Sequence, residues 1–221
     1  MKRIFITGAT GYMGRSLVPL LLRRGYEVRA LVRAKSLGNL PAGCVPVIGD
    51  VLDKTTYECH VRGVHTFVQL AGVSHPNPAK AAEFRSVDRL ASYNAIDAAW
   101  SAGVRHFVYV SVAHPAPVMK AYIEVRRECE EKLRASGLNA TILRPWYVLG
   151  PGHRWPYLLL PAYWLLEALP PTRGVAQRLG LVTLPQMAAA LLRAVEHPAQ
   201  GAAIVEVPEI RTAINDFPAP R

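Results

Sequence analysis

The sequence predicts an α/β fold built on a doubly wound, mostly parallel sheet, and three observations predict it. Short apolar runs alternate with longer stretches of helical periodicity, as in strand–helix–strand units. Most of these runs are unbroken in Val, Ile, Leu and Phe, as strands covered on both faces should be. A turn with glycine at every third position stands directly behind the first run.

Strands are predicted at residues 3–7, 28–32, 45–48, 66–70, 106–110, 141–143 and 203–207. Behind the first, Met13, Leu17, Leu20 and Leu21 form an apolar stripe at helical spacing, with Pro19 expected to bend the helix or open one hydrogen bond. Phe84, Val87, Leu90, Ala91 and Ala95 form a second stripe, and Val118, Tyr122, Val125, Cys129 and Leu133 a third. Thr183-Leu184-Pro185-Gln186 announces the last helix as a capping box, and its apolar face is Met187, Leu191 and Val195.

Residues 145–181 break this rhythm, with Pro151, Pro156, Pro161, Pro170 and Pro171 punctuating a run rich in Trp, Tyr and Leu. The segment 157–169 carries Pro161 and Glu167 and is shorter than the roughly 20 residues a membrane helix needs, so no transmembrane span is expected. Residues 1–221 are expected to form one domain, with 145–181 inserted as a small C-terminal cap on the substrate side, over the carboxyl ends of the strands. A peripheral membrane or protein contact through 157–169 is the alternative.

The chain of 221 residues is 51% hydrophobic and 19% charged, without repeats, which leaves ample apolar material for a core. Cys44, Cys59 and Cys129 are odd in number and widely spaced, which argues against both a disulfide framework and a zinc site; no metal is expected. The opening residues run straight into a strand pattern with no signal segment, so a cytoplasmic location is expected. The net charge of +10 is dispersed in ones and twos, with no basic arm and no aromatic-interleaved cluster, and nucleic-acid binding is not expected.

Gly8, Gly11 and Gly14 sit where a phosphate-binding turn belongs, after a strand and at the start of a helix. Gly8 permits the tight strand exit, Gly11 lets the backbone approach a pyrophosphate, and Gly14 lets the helix pack closely on the sheet. The positive helix end then faces the phosphates. This defines a Rossmann-type dinucleotide site. An acidic residue at the end of the second strand would hold the ribose 2′-hydroxyl of NAD; this chain has Arg33, followed by Lys35 and Ser36. A guanidinium suits a 2′-phosphate, so NADP is expected, with NADPH preferred over NADH.

The chain carries, in this order, Thr7-Gly8-Ala9-Thr10-Gly11-Tyr12-Met13-Gly14, Leu31-Val32-Arg33, Gly49-Asp50, Leu70-Ala71-Gly72, the run 103–111, Tyr122, and Ser136-Gly137-Leu138 leading to Leu143-Arg144-Pro145. In that order it resembles the extended and atypical short-chain dehydrogenase/reductases, particularly the NmrA-like group and relatives of the complex I accessory subunit. The resemblance implies that Thr10, Tyr12 and Met13 belong to the phosphate loop, that Asp50 touches the adenine amine and Val51 the ring, that Ala71 and Gly72 pass the cofactor's middle, and that Pro145 lies near the nicotinamide.

The family's oxidoreductases use a Tyr-x-x-x-Lys pair, and the matching positions here are Tyr122 and Arg126. Their spacing places both on one helix face. Tyr122 would be the acid, Arg126 its electrostatic partner and Ser111 the group orienting a small apolar carbonyl or quinone substrate. Departures from the family stand beside this reading: arginine replaces lysine, Ala113 occupies the place where an active hydroxyl often falls, His114 follows it, and Asp88 stands near a usual helix asparagine. Tyr122 also belongs to an apolar stripe, and Arg126 has Glu130 one turn on, so a structural role for the pair remains open. Trp146, Tyr147, Trp155, Tyr157 and Trp164 are candidates for the pocket wall or the core. The competing function is a non-catalytic NADP(H)-sensing regulatory or assembly module.

Overall fold

The computed structural model describes residues 2–74, 76–151, 165–166 and 168–216. Its main sheet is formed by β1 (Arg3–Thr7), β2 (Glu27–Val32), β3 (Val45–Ile48), β4 (Thr66–Gln69), β5 (His106–Val110), β6 (Ala140–Leu143) and β9 (Ala202–Val205). Their spatial order is β3-β2-β1-β4-β5-β6-β9, and every pairing is parallel. All seven strands overlap the predicted runs. The last run ends early, because Val207 opens a helix under a capping box made by Glu206 and Glu209.

Parallel strands need crossovers, and the helices supply them on both faces. On one face α1 (Gly14–Arg23) and α7 (Leu184–Glu196) cover Ile4, Ile6, Val28, Ala30, Val68 and Val108 through Leu17, Leu21, Met187 and Leu191. On the other, α2 (Glu58–Val61), α4 (Leu90–Ser101) and α5 (Lys120–Ala135) cover Phe5, Leu31, Phe67, Phe107 and Ile142. The alternation of Ile4 and Ile6 with Phe5 follows the strand period of two. Tyr57, Phe5, Phe67 and Phe107 run across the second face as an aromatic row, with successive centroids 5.8, 5.1 and 5.2 Å apart. α1 accommodates Pro19, and α7 carries the expected Thr183/Gln186 capping box.

Two stripes are corrected by the backbone. Between α3 (Ala81–Glu83) and α4, residues Phe84–Arg89 form a π-helix. A π turn holds more residues than an α turn and so rotates the register. Leu90 is consequently turned outward and exposed, while Asp88 is buried completely. At α5, Met119 adopts a left-handed φ of 59° just before the helix begins, which leaves Val118 outside the helix and exposed.

The interval 145–181 also holds structure that periodicity did not predict. β7 (Tyr147–Leu149) pairs in parallel with β8 (Leu181–Thr183), and α6 (Pro170–Arg178) precedes the latter. Trp155, Tyr157 and Trp164, and most of 157–169, lie outside the described residues. Among the described residues no helix is long and apolar enough to cross a membrane. α8 (Val207–Thr212) buries Val207 and Ile210.

His106, on β5, is fully buried, with its Nε2 3.0 Å from Thr141 Oγ1. Burial disfavours the imidazolium and pushes the pKa down to about 4. Between the unfolded value of 6.5 and about 4 the unfolded chain therefore binds a proton that the fold does not, so stability falls as pH drops through that window. Urea titrations should show a loss of up to roughly 3 kcal/mol attributable to this residue. The difference between wild type and His106→Gln should accordingly shrink from pH 7 to pH 4; a constant difference would refute the assignment.

Candidate dinucleotide site

The carboxyl ends of β1 and β4 lie where the chain turns in opposite directions across the sheet, the switch point at which open α/β sheets bind ligands. Thr7 ties the two strand exits together. Its Oγ1 donates to Gln69 Oε1 at 2.5 Å and accepts from the Leu70 and Ala71 amides at 3.3 Å. Gln69 Nε2 in turn donates to the Ala71 carbonyl at 3.1 Å. These bonds bring the Gly8 loop against Leu70-Ala71-Gly72.

The crowding there explains two glycines. Gly8 has φ +74°, and a Cβ on it would stand 2.9 Å from the Ala71 amide nitrogen. A Cβ on Gly14 would approach the Gly8 carbonyl oxygen to 2.3 Å, so α1 can pack here only without one. Gly11 differs: its Cβ would meet only the Gly8 carbonyl oxygen, at 3.1 Å, and would otherwise enter open space. The first turn of α1 has no acidic residue and no side-chain cap, so its positive end faces that space. A pyrophosphate needs these same features: bare backbone, room at Gly11 and an uncompensated helix N-terminus.

The space is a cavity of 630 Å³, reaching from Gly8, Gly11, Tyr12, Met13 and Gly14 past Gly72 to Ser111, Tyr122, Arg126 and Pro145. Val73, Val110, Val112, Met119, Trp146 and Val148 make much of its wall apolar. Thr10 is half-buried within the loop, and its carbonyl accepts from Arg15 Nε at 2.7 Å. Arg33 and Asp50 are both exposed at the carboxyl edge of β2 and β3, where the Gly49 amide bonds the Val32 carbonyl at 3.1 Å. Asp50 Oδ1 accepts from the Leu52 amide at 3.0 Å, and the Val51 carbonyl from Asn94 Nδ2 at 3.3 Å. The predicted site residues thus divide into a β2–β3 end, a central loop and a β5–β6 end.

At the β5–β6 end the partners differ from those the spacing suggested. Arg126 is buried, and its Nη2 pairs with Asp88 Oδ1 at 2.5 Å, not with Glu130. Its Nη1 donates to Tyr109 Oη and the Val110 carbonyl, each at 3.1 Å, and its guanidinium lies 4.9 Å from the Tyr122 ring centroid. Asp88 also accepts from the Val73 amide at 3.3 Å. Burial pushes the Asp88 carboxyl up, and the guanidinium and the Val73 amide pull it back; Arg126 is held charged, well above the ordinary arginine value. Burial likewise raises the Tyr122 phenol, against the lowering pull of Arg126.

Glu130 belongs to a second cluster. Its carboxylate accepts from Arg144 Nε at 3.0 Å and Nη2 at 2.5 Å, from Arg134 Nη2 at 2.8 Å and from Ser111 Oγ at 2.6 Å. Although burial opposes ionisation, these donors hold Glu130 below its ordinary value. Ser111 lines the cavity, yet its one hydroxyl proton is donated to a carboxylate that stays charged. In this arrangement the proton is directed at Glu130 and not into the cavity. His114 lies in the same cluster, with Nε2 3.7 Å from Glu130 Oε1, largely buried and not an exposed loop residue.

Asp88, which stands near the family's usual helix asparagine, joins the site, and so do Glu130 and Arg144, which lie outside the catalytic motif. The Leu-Arg-Pro landmark carried the signal for Arg144, whereas a π-helix has no sequence signature by which Asp88 could be turned inward. Among the described residues no group of His, Cys, Asp and Glu could hold a metal ion, and the three cysteines are free.

Fold and loop together define a Rossmann protein that binds a nicotinamide dinucleotide. Residues 8–154 match the NAD(P)H-binding family, and the chain belongs to it. It is 28% identical to the ceramide reductase of Caulobacter vibrioides, over 94% of this chain and 65% of that protein. To the 4-hydroxy-2-methyl-3-oxo-4-farnesyl-3,4-dihydroquinoline-1-oxide ketoreductase of Stigmatella aurantiaca it is 26% identical, over 67% of this chain and 51% of that one. The chain thus spans less than two thirds of either relative's length. Its fold matches the Bordetella bronchiseptica enzyme WbmH, solved in complex with NAD+, with a TM-score of 0.70 at 22% identity over 100% of this chain and 84% of that one.

Gly14→Ala should be among the least tolerated loop substitutions. Its methyl would meet backbone rather than a flexible side chain, so a loss of roughly 3 kcal/mol or outright misfolding is expected. Thermal unfolding beside Gly38→Ala, where a Cβ meets nothing, checks this.

Proposed function

We propose that this chain is an NADPH-dependent reductase of a small apolar carbonyl or quinone. The observation that carries the reading is the single cavity shared by the Gly8–Gly14 loop and Tyr122. The loop and the α1 N-terminus hold the pyrophosphate, Asp50 and Val51 flank the adenine, and Arg33 meets a 2′-phosphate. Ala71, Gly72 and Pro145 border the remainder of the cofactor. When bound, the reduced nicotinamide supplies hydride to the substrate carbon. Tyr122 donates its phenolic proton to the substrate oxygen, with the Arg126 guanidinium against its ring, and the apolar wall excludes water. The described residues act as one domain, and Trp146, Tyr147 and Val148 bring the start of the 145–181 cap to the substrate end.

A second reading has an observation of its own. Arg126 and Ser111 are both committed to buried carboxylates, as they would be in a module that binds NADP(H) without turnover. Retained nucleotide that is never consumed would favour that module.

Nucleotide titration tests the cofactor assignment. NADPH should bind about tenfold or more tighter than NADH, and Arg33→Asp should abolish or reverse that preference. Equal affinities in the wild type would overturn it. Turnover tests the chemistry: across a carbonyl and quinone panel, Tyr122→Phe should lower NADPH consumption roughly a hundredfold with little change in NADPH affinity. Unaltered turnover would remove the mechanism.

A further inference from the structure

The Tyr122 site is electrically balanced in an uncommon way, and the balance determines what the phenol can do. A lone cation beside a tyrosine favours its phenolate and so makes it a usable base. Here the cation beside Tyr122 has a buried counter-charge in direct contact. Asp88 is fully buried, and the π-helix Phe84–Arg89 delivers its carboxylate between the Val73 amide and Arg126 Nη2. No side chain separates this pair from the Gly72 backbone: a Cβ on Gly72 would stand 2.4 Å from Asp88 Oδ1 and 2.9 Å from Arg126 Nη2. Gly72 is thus required by the ion pair itself, at a position on the cavity wall.

Resting on the reductase reading above, the geometry points to Asp88 as a positioning residue that fixes Arg126 against the Tyr122 ring and cancels its charge, so that the phenol serves as proton donor and not as base. Among the described residues, the following groups act on Tyr122. Arg126 and Cys129 come from its own helix, Asp88 from the π segment, and Tyr109 meets Arg126 from β5. Phe84 packs edge-on against the ring at 5.0 Å. Arg126 is the one cation among them and Asp88 its direct partner. In the reductive direction, hydride passes from the reduced dinucleotide to the carbonyl carbon, the phenolic proton passes to the oxygen, and a proton from bulk solvent restores the phenol once product has left. In the oxidative direction a phenolate is needed first, and the balanced site disfavours it. Burial acts in the same sense, raising the phenol above its ordinary value.

The test is a titration of the phenol in protein labelled with [ζ-13C]tyrosine, the Tyr122 signal being identified by its loss in Tyr122→Phe. In the wild type Tyr122 should remain protonated past the ordinary tyrosine value, and Asp88→Asn should lower its titration by about one pH unit or more by exposing the ring to an uncompensated guanidinium. The alkaline limb of alcohol oxidation with NADP should shift down by the same amount. Charge-neutral Asp88→Asn/Arg126→Gln should return the phenol to the wild-type range. A wild-type phenol titrating below 9, or a midpoint unmoved in Asp88→Asn, overturns the proposal. If Asp88→Asn does not fold, the wild-type midpoint and the double variant decide alone. If Tyr122→Phe keeps full turnover the reductase reading fails, whatever the titration shows. If Tyr122→Phe is inactive while the Asp88 variants leave the phenol unmoved, only the present inference fails.

Discussion

The phosphate end of the ligand cavity depends on how closely two strand exits approach each other. β1 and β4 are hydrogen-bonded neighbours whose chains leave in opposite directions, and the side chain of Thr7 is shared between them, donating to Gln69 and accepting from Leu70 and Ala71. That bridge draws the Gly8 loop against backbone with no room for a Cβ at Gly8 or Gly14. The absence of side chains there leaves the α1 N-terminus open to the cavity. At its loop end the cavity is thus a consequence of backbone packing, with a floor of backbone and a helix end, while Arg126 lines the far end.

The strands were legible in the sequence because both faces of the sheet are covered. A strand buried on two sides is predominantly apolar, and a short β-branched and aromatic run such as Phe107-Val108-Tyr109-Val110 fits that environment. The glycine loop was legible for a related reason, since its constraint is local and acts within a few residues. Capping at Thr183 is local too, and it formed as the spacing required. The π-helix at Phe84–Arg89 was not legible. Its register shift turns Leu90 out and Asp88 in, toward a guanidinium 38 positions further along the chain. The β7–β8 pair was hidden likewise, because two three-residue strands give no periodicity and pair across more than thirty positions.

Site chemistry was less legible than the fold, and Arg126 shows why. A helix-face reading offers it Glu130, four residues on. That carboxylate instead takes the fork of Arg144, two parallel N–H···O bonds from a residue that leaves β6, together with Arg134 and Ser111. A bidentate guanidinium pair outcompetes a single flexible contact along a helix. Arg126, left without Glu130, turns toward the sheet and finds Asp88, Tyr109 and the Val110 carbonyl. Sequence spacing correctly put Tyr122 and Arg126 on one face, but the partners were chosen by residues at 88, 130 and 144 acting together.

α5 therefore carries two buried ionic systems one turn apart, and neither is explained by stability. Burying ions costs several kcal/mol each, offset only by close pairing and full hydrogen bonding, and apolar replacements of similar volume are often as stable or more so. Removing one partner from such a pair typically costs about 3–5 kcal/mol, a large part of the roughly 5–15 kcal/mol that holds a domain folded. Asp88 and Arg126 therefore behave as one unit, and so do Glu130 and Arg144. The first unit sits against the phenol at the cavity wall, while the second fixes Ser111 and the chain that leads to Pro145. Each spends stability on holding a polar group in one orientation beside the ligand space. Nothing in the fold alone requires that, because well-packed apolar side chains replacing both members of a pair at similar total volume are often as stable.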